Sequence, residues 1–367
     1  MKQVIGIYCG CKWFNNWDEK TVRDQGAGGS ETWAVELADV FQRWGFHVII
    51  FGQPEQHHFS ETGVEYVPWY DFEKRCEYQH FDYFISSRLT YEITPNISCD
   101  NIYVMCHDTE IEKRYDTPVL KLDRIKKIVL LSEWQERIYL ANYSGLTEDR
   151  IFITSNGVDM SLYQTIDYFG KENAMVWSSC KERGLNIFIN KIYPKIKESV
   201  PDFKLYICDY NDNHENNYTN IEGIEFVGKL SKKELADLQK KAKIWIYPNY
   251  GMNDYGLFHE TFCITAVENA LAGNAISCFN AGGIATTLYG YPYLRNGEYW
   301  FNNLDFKFNS APLDEMLDTL AKDAVRFLKE DTTRVNAVSD LLSICSKYTW
   351  EKCAKDWLKE WGLDYGC

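Results

Sequence analysis

No stretch of the chain approaches the roughly 20 consecutive apolar residues that a membrane-spanning helix needs. The longest apolar runs, among them Ile128 to Leu131 and Ile244 to Tyr247, are only a few residues each. The opening MKQVIGIYCG lacks the apolar core of about 7–15 residues and the cleavage site of a secretory leader, and it reads as a first strand. The twelve cysteines include no C-x2-C pair and no Cys/His quartet, so no zinc site is expected from them. Only Cys9 and Cys11 are close in sequence, and several others fall in apolar runs such as YVMC (103–106) and LYIC (205–208), where Cys acts as a small core hydrophobe. Reduced thiols and a cytoplasmic location are therefore expected. Cys367 is the last residue, not the fourth from the end, so it forms no prenylation box. A basic excess is lacking too: the net charge is −14. Residues 1–170 hold 16 Lys+Arg against 26 Asp+Glu and residues 171–367 hold 23 against 27, balances of −10 and −4. That argues against nucleic acid as a partner and gives no support to docking on anionic lipid, and it makes the second half the better host for a polyanionic small ligand.

What is present is ordinary globular material, with 45% hydrophobic and 25% charged residues and an aromatic content of 16%. At 367 residues the chain has a two-domain length. Strands are expected at 3–9, 47–51, 64–67, 81–86, 101–106, 127–131 and 150–153. A helix over 31–44 has Ser30 as its N-cap and Gly45 as its stop, and a second helix covers 133–143. The pattern restarts near residue 174, with strands at 174–178, 203–208, 224–227, 243–247 and 274–278 and helices at 184–199, 231–242 and 263–272. A helical tail covers 311–362. Apolar strands alternating with helices imply two α/β units, each a mostly parallel, doubly wound sheet, meeting around 165–175. Such sheets bind ligands beyond the carboxyl ends of their strands. Polar and glycine clusters follow the strands as that rule requires: GAGGSE (26–31), CHDTE (106–110), SSCKERG (178–184), NYGMNDYGLFHE (249–260) and NAGGIATT (280–287).

Gly28 and Gly29 could let backbone amides approach a phosphate or sugar, or simply form a mobile loop. A dinucleotide fingerprint needs its tight turn directly after the first strand, and 16 residues, Gly10 to Gln25, intervene here. The segment ETFCITAVE (260–268) is the most informative. If helical throughout, it separates Glu260 and Glu268 by roughly 12 Å, about the span from hexose to ribose in a nucleotide-sugar. The helix start at Phe262, Cys263 and Ile264 would offer N–H groups to the diphosphate between them. Two glutamates at this interval are also common with no such role. Arg183, followed by Gly184, could neutralise a leaving diphosphate together with the helix start that follows it, whereas Lys181 reads as a solvated charge. His107, directly after a strand, is either a core histidine or a sugar-hydroxyl partner. His57, His58 and His214 read as ordinary loop residues.

Together these segments resemble the retaining, nucleotide-sugar-dependent glycosyltransferases of family 4. The likeness runs through GGSE (28–31), HD (107–108), LSEWQ (131–135), SNGVD (155–159), WSSCKERGL (177–185), FVGKLSKKEL (226–235), IYPN (246–249), ETFCITAVENALAGN (260–274), AGG (281–283) and TWEKCAKDWL (349–358). The resemblance implies a GT-B fold of two Rossmann-like domains facing a central cleft. It assigns 1–170 to the acceptor side and 171–346 to the donor, with a closing helix over about 347–367 crossing back to the first domain. It further implies that Glu268 holds the donor ribose, and that Glu260 with the backbone at Phe262 and Cys263 holds the sugar and diphosphate. Arg183 would bind the diphosphate and His107 would face the sugar's C6 side. Gly28 and Gly29 would shape the donor–acceptor junction, and backbone at Lys229 and Leu230 would pair with the nucleobase. The implied partners are a UDP- or GDP-type sugar and a saccharide acceptor, with no cofactor. No metal is expected, since the nearest approach to a D-x-D pair, Asp209 and Asp212, is separated by two residues. The chain departs from the family in having Ser178 where many relatives carry an Arg, Cys263 where they have Gly, and Thr286 where they have Glu. A sugar-nucleotide epimerase or phosphorylase, or a non-catalytic sugar-nucleotide binder, are the alternative functions.

Overall fold

The apolar runs read from the sequence are strands of two separate, mainly parallel sheets. The computed structural model describes residues 2–10, 16–88, 97–111, 122–208, 218, 220–253, 256–296 and 310–363. Cys11, Asp209, Asp212, His214 and Cys367 lie outside the described residues. The chain divides into two units, Met1–Gly157 with Tyr348–Cys367, and Val158–Lys347.

In the first unit the strands are β1 (Val4–Tyr8), β2 (His47–Gly52), β3 (His58–Phe59), β4 (Glu65–Pro68), β5 (Tyr83–Ser87), β6 (Ile102–Met105), β7 (Ile125–Leu130) and β8 (Ile151–Ile153). They lie in the order β3-β4-β2-β1-β5-β6-β7-β8, and β3 alone runs antiparallel to its neighbour. The order reverses between β1 and β5, which places the topological switch point of a doubly wound sheet there. Helices α1 (Glu19–Asp24), α2 (Gly29–Arg43), α3 (Phe72–Cys76) and α4 (Glu133–Asn142) complete the α/β pattern. Trp33, Leu37, Val40 and Phe41 of α2 are buried, as their helical spacing requires. The closing helix, Trp350–Glu360, is capped by the Thr349 hydroxyl, which accepts from the Lys352 amide at 3.0 Å. Trp357 meets Tyr103 and Phe152 edge-on, at 5.4 and 5.1 Å between centroids, and Trp361 stacks on Tyr83 at 4.0 Å. These rings, each contact adding about 0.5–1.5 kcal/mol beyond burial, fasten the tail to the first sheet. Gly157 of the SNGVD segment is where the backbone of Thr349 and Trp350 comes closest, and a Cβ there would collide with it.

In the second unit β9 (Glu172–Trp177), β10 (Lys204–Cys208), β11 (Ile224–Gly228), β12 (Ala242–Tyr247), β15 (Ala275–Phe279) and β16 (Leu294–Arg295) form a parallel sheet, and β13 (Met252–Asn253) with β14 (Gly256–Leu257) forms a separate hairpin. The sheet order β11-β10-β9-β12-β15-β16 is the doubly wound one, with the switch point between β9 and β12. The helix expected over 184–199 runs from Leu185 to Ser199 and is widened in its middle. A 3₁₀ turn, Lys181–Arg183, precedes it, and the helix then passes without a break from α5 (Leu185–Ile187) through a π-helical stretch, Phe188–Ile192, into α6 (Tyr193–Ser199). Pro194 has no amide to donate and crowds the preceding turn, which accounts for the widened ladder just before it. Gly184, at φ +112°, separates the turn that carries Arg183 from the start of this helix at Leu185. The remaining helices are α7 (Lys232–Lys241), α8 (Ile264–Leu271), α9 (Ile284–Thr287), α10 (Ser310–Lys329) and α11 (Asp331–Cys345).

Candidate active site

Arg183 follows β9 and Glu260 follows β12, so the chain delivers both to the switch point of the second sheet. Arg183 Nη1 donates to Glu260 Oε1 at 3.1 Å, and the guanidinium lies over the Phe258 ring, 4.6 Å from its centroid. The Tyr247 hydroxyl, at the buried end of β12, donates to the same oxygen at 2.7 Å. Burial, and then the Glu260 charge, hold that phenol far above its ordinary range, so it stays a donor. Both bonds fall on Oε1, which leaves Oε2 to accept from a ligand hydroxyl. The backbone of the Glu260 segment is fixed by the AGG turn. Gly283 N–H donates to the Glu260 carbonyl at 2.6 Å and Thr287 Oγ1 donates to the Phe262 carbonyl at 2.6 Å. A Cβ at Gly283 would strike the Thr261 carbonyl, so only glycine permits this approach. Thr287, rather than Thr286, supplies the hydroxyl.

The helix expected over 263–272 begins at Ile264, so the eight residues from Glu260 to Glu268 are not helical throughout and the 12 Å span does not apply. Phe262 and Cys263 are buried, and Cys263 has φ +73°, a left-handed conformation that a non-glycine residue adopts at a cost of about 1–2 kcal/mol. Glycine adopts that region without this cost. In the first turn of α8 the Ala266 amide donates to the Cys263 carbonyl at 3.1 Å, while the amides of Ile264 and Thr265 have no acceptor within the helix. Glu268, on the buried face of α8, pairs with Lys232 Nζ at 3.5 Å. Lys229, exposed, and Leu230, half-buried, form the turn between β11 and α7, which opens on a capping box made by Ser231 and Glu234. Lys232, the first residue of α7, is the residue that reaches Glu268.

In the first unit Gly28, in extended conformation, is the N-cap of α2, and Gly29 is its first residue. Ser30 is not the cap. Its hydroxyl donates to Glu31 Oε2 at 2.9 Å and accepts from Arg88 Nη1 at 2.8 Å. Arg88, in the left-handed region at φ +71°, also pairs with Asp108. Glycine loop, β5 end and β6 end thus meet around the switch point of this sheet. His107 packs edge-on against Trp33 at 5.2 Å and is neither fully buried nor fully exposed. Gln135, the last residue of LSEWQ, clamps the turn on both sides, donating to the Cys106 carbonyl at 3.1 Å and the Asp108 carbonyl at 2.8 Å. Sequence reading missed Arg88 and Tyr247. The available signal was a polar residue at the end of each strand bordering a switch point.

Neither a family model nor a curated protein matches this chain in sequence. Solved structures match over nearly all of it. Sucrose-phosphate synthase from Thermosynechococcus elongatus is similar at TM-score 0.68 and 12% identity, over 98% of each chain. HepE of Anabaena, solved in complex with UDP and glucose, is similar at 0.67 and 12%, over 99% of this chain and 100% of that one. WaaG, described as a glycosyltransferase involved in lipopolysaccharide biosynthesis, is similar at 0.64 and 12%, over 97% and 99%. The fold is that of the GT-B glycosyltransferases. No helix among the described residues is long and apolar enough to cross a membrane.

Proposed function

We propose that this chain is a retaining glycosyltransferase that moves a hexose-type sugar from a UDP- or GDP-type donor to a saccharide or glycan acceptor. The carrying observation is the cation and carboxylate, Arg183 and Glu260, joined at the switch point of the second sheet and backed by the Tyr247 hydroxyl. In this reading Arg183 and the amides from Phe262 to Ile264 meet the diphosphate, and Glu260 holds the transferred sugar. Glu268 takes the ribose diol, and backbone at Lys229 and Leu230 pairs with the base. His107 and the Gly28–Gly29 turn serve the sugar's C6 side and the acceptor. The complex of HepE with UDP and glucose supports a donor of this class on the same fold. Incubation with a panel of UDP-, GDP- and dTDP-sugars should reveal one donor that raises the melting midpoint and is slowly hydrolysed. Transfer on adding a saccharide acceptor separates this reading from epimerisation, and binding with no turnover at all would mark a sugar-nucleotide binder.

Glu268→Ala should weaken the cognate nucleoside diphosphate by about 10–150-fold, since hydrogen bonds to a charged acceptor contribute about 1.5–3 kcal/mol. Calorimetry checks this, and unchanged affinity removes Glu268 from the site.

The diphosphate needs no divalent ion in this reading, because Arg183 and the α8 amides neutralise it. Activity should survive EDTA well below the melting midpoint. Complete loss in chelator, restored by Mn²⁺ or Mg²⁺, refutes metal independence.

The product should keep the donor's anomeric configuration. Inversion requires a base behind the anomeric carbon, whereas in same-face substitution the departing phosphate takes the acceptor proton while Arg183 stabilises its charge. Proton NMR of the first product decides, and an inverted anomeric coupling overturns the retaining assignment.

A further inference from the structure

We propose that Asp18, Glu19 and His58 bind a divalent transition-metal ion, Zn²⁺ by preference. His58, read from the sequence as a loop residue, lies on β3, where its Nε2 faces the carboxylates at the start of α1. One ligand atom from each residue lies within 4.8 Å of the other two. His58 Nε2 is 3.2 Å from Glu19 Oε2 and 3.9 Å from Asp18 Oδ2. A tetrahedral ion with bonds of about 2.0–2.1 Å spaces its ligands at about 3.3–3.4 Å, so little movement closes the cluster around one. The histidine is oriented for the task. Its Nδ1 is 3.0 Å from the Gln56 carbonyl, which requires a proton on that nitrogen and leaves Nε2 facing the carboxylates, to donate to Glu19 or, on losing its proton, to ligate an ion. Its ring stacks on Tyr66 at 5.0 Å with planes 3° apart.

Two further observations point to a cation. The Tyr66 hydroxyl is buried with no hydrogen-bond partner among the described residues, and it lies in the field of Glu19, Asp39, Arg23 and Asp18. Trp17 Nε1, one residue before Asp18, is likewise buried and unpartnered. Such donors suit a ligating carboxylate or a metal-bound water. Among the described residues the partner of both carboxylates is His58 itself. Arg23 is engaged by Asp39 and Glu36, and among the described residues neither Asp18 nor Glu19 pairs with a Lys or Arg. Glu19 is almost buried while the side chains of Asp18 and His58 are 23% and 26% exposed, which leaves a way in for an ion and a position for water. One imidazole and two carboxylates form a borderline N/O set, which favours Zn²⁺ over Mg²⁺ or Ca²⁺.

The test uses the full chain, stripped with chelator and titrated with Zn²⁺ against a chromophoric competitor, and separately with Co²⁺. One equivalent should bind. The cobalt form should show visible d–d bands without a thiolate charge-transfer band, which separates this cluster from the cysteines. His58→Ala and Glu19→Gln should each lower affinity by about 100-fold or more, beyond the effect of an outer-shell change. Asp18→Asn keeps an oxygen to accept from the Thr21 amide and so preserves the helix cap while removing the carboxylate. Zn²⁺ should raise the melting midpoint of the parent protein and not of this variant. A thiolate band, equal affinity in the variants, or no binding at one equivalent overturns the assignment. These readouts do not depend on glycosyl transfer.

Discussion

Arg183→Ala is expected to lower turnover of the cognate nucleotide-sugar by about 100- to 1,000-fold, the usual cost of removing a preorganised donor aimed at developing charge. The charge on the leaving diphosphate grows as the glycosidic bond breaks, so the loss should fall on kcat more than on ground-state affinity. The geometry sharpens the expectation. Arg183 is held on both sides, by Glu260 Oε1 at 3.1 Å and by the face of Phe258 at 4.6 Å. Removing it leaves Glu260 with the Tyr247 hydroxyl alone and frees a carboxylate to repel the diphosphate. Arg183→Lys should recover only part of the loss, because an ammonium keeps the charge but not the planar fork that stacks and donates together. Steady-state kinetics on both variants checks this, and an unchanged kcat in Arg183→Ala would remove the residue from the mechanism.

Lys171→Met is expected to be the most damaging substitution for stability in the second unit. The side chain is buried, and its Nζ, with at most three N–H donors, lies among four acceptors: the carbonyls of Lys240, Ala242 and Ala272 at 2.7, 2.9 and 2.8 Å and Asn274 Oδ1 at 3.1 Å. One amino group, which burial pushes down to a pKa of about 7, therefore joins the end of α7, the start of β12 and the end of α8, where its charged form also suits the helix dipole. Methionine fills the space but leaves buried acceptors unpaired, at about 1–3 kcal/mol each. A loss of about 3 kcal/mol or more lowers the midpoint by roughly 6–12 °C in a unit of this size. Scanning calorimetry measures the shift. Hydrogen exchange should show the opening concentrated at the C-terminal ends of α7 and α8, and an unchanged midpoint would mean that these carbonyls find other donors.

The architecture was legible because it rests on periodicities that single residues cannot disguise. Buried parallel strands are apolar runs, as in KIWIY and AMVWS, and amphipathic helices repeat at the helical period, as in α2. The candidate site was legible only as a set of strand-end clusters, since the rule for doubly wound sheets says where ligands bind but not which side chains meet. Pro194 illustrates the limit. Its missing amide goes with a π-helical widening over Phe188–Ile192 inside the expected helix, an effect of hydrogen bonding along the backbone that apolar spacing does not register. His58 illustrates it differently, for a histidine in a polar stretch becomes a candidate ligand only when β3 brings it to α1, 39 residues away.

By itself the sequence determined two α/β units, the strand-end position of Arg183, Glu260 and His107, and the absence of a long apolar helix. Those properties follow from local pattern and composition. Tertiary structure decided that Arg183 reaches across 77 residues to Glu260 and that Tyr247 shares the same oxygen. It also decided that Lys232 pairs with Glu268 and that Cys263 takes a glycine's conformation. Contacts of this kind depend on strand order and on φ values imposed by packing. Both are set by the whole sheet closing, and no short segment of the chain carries them.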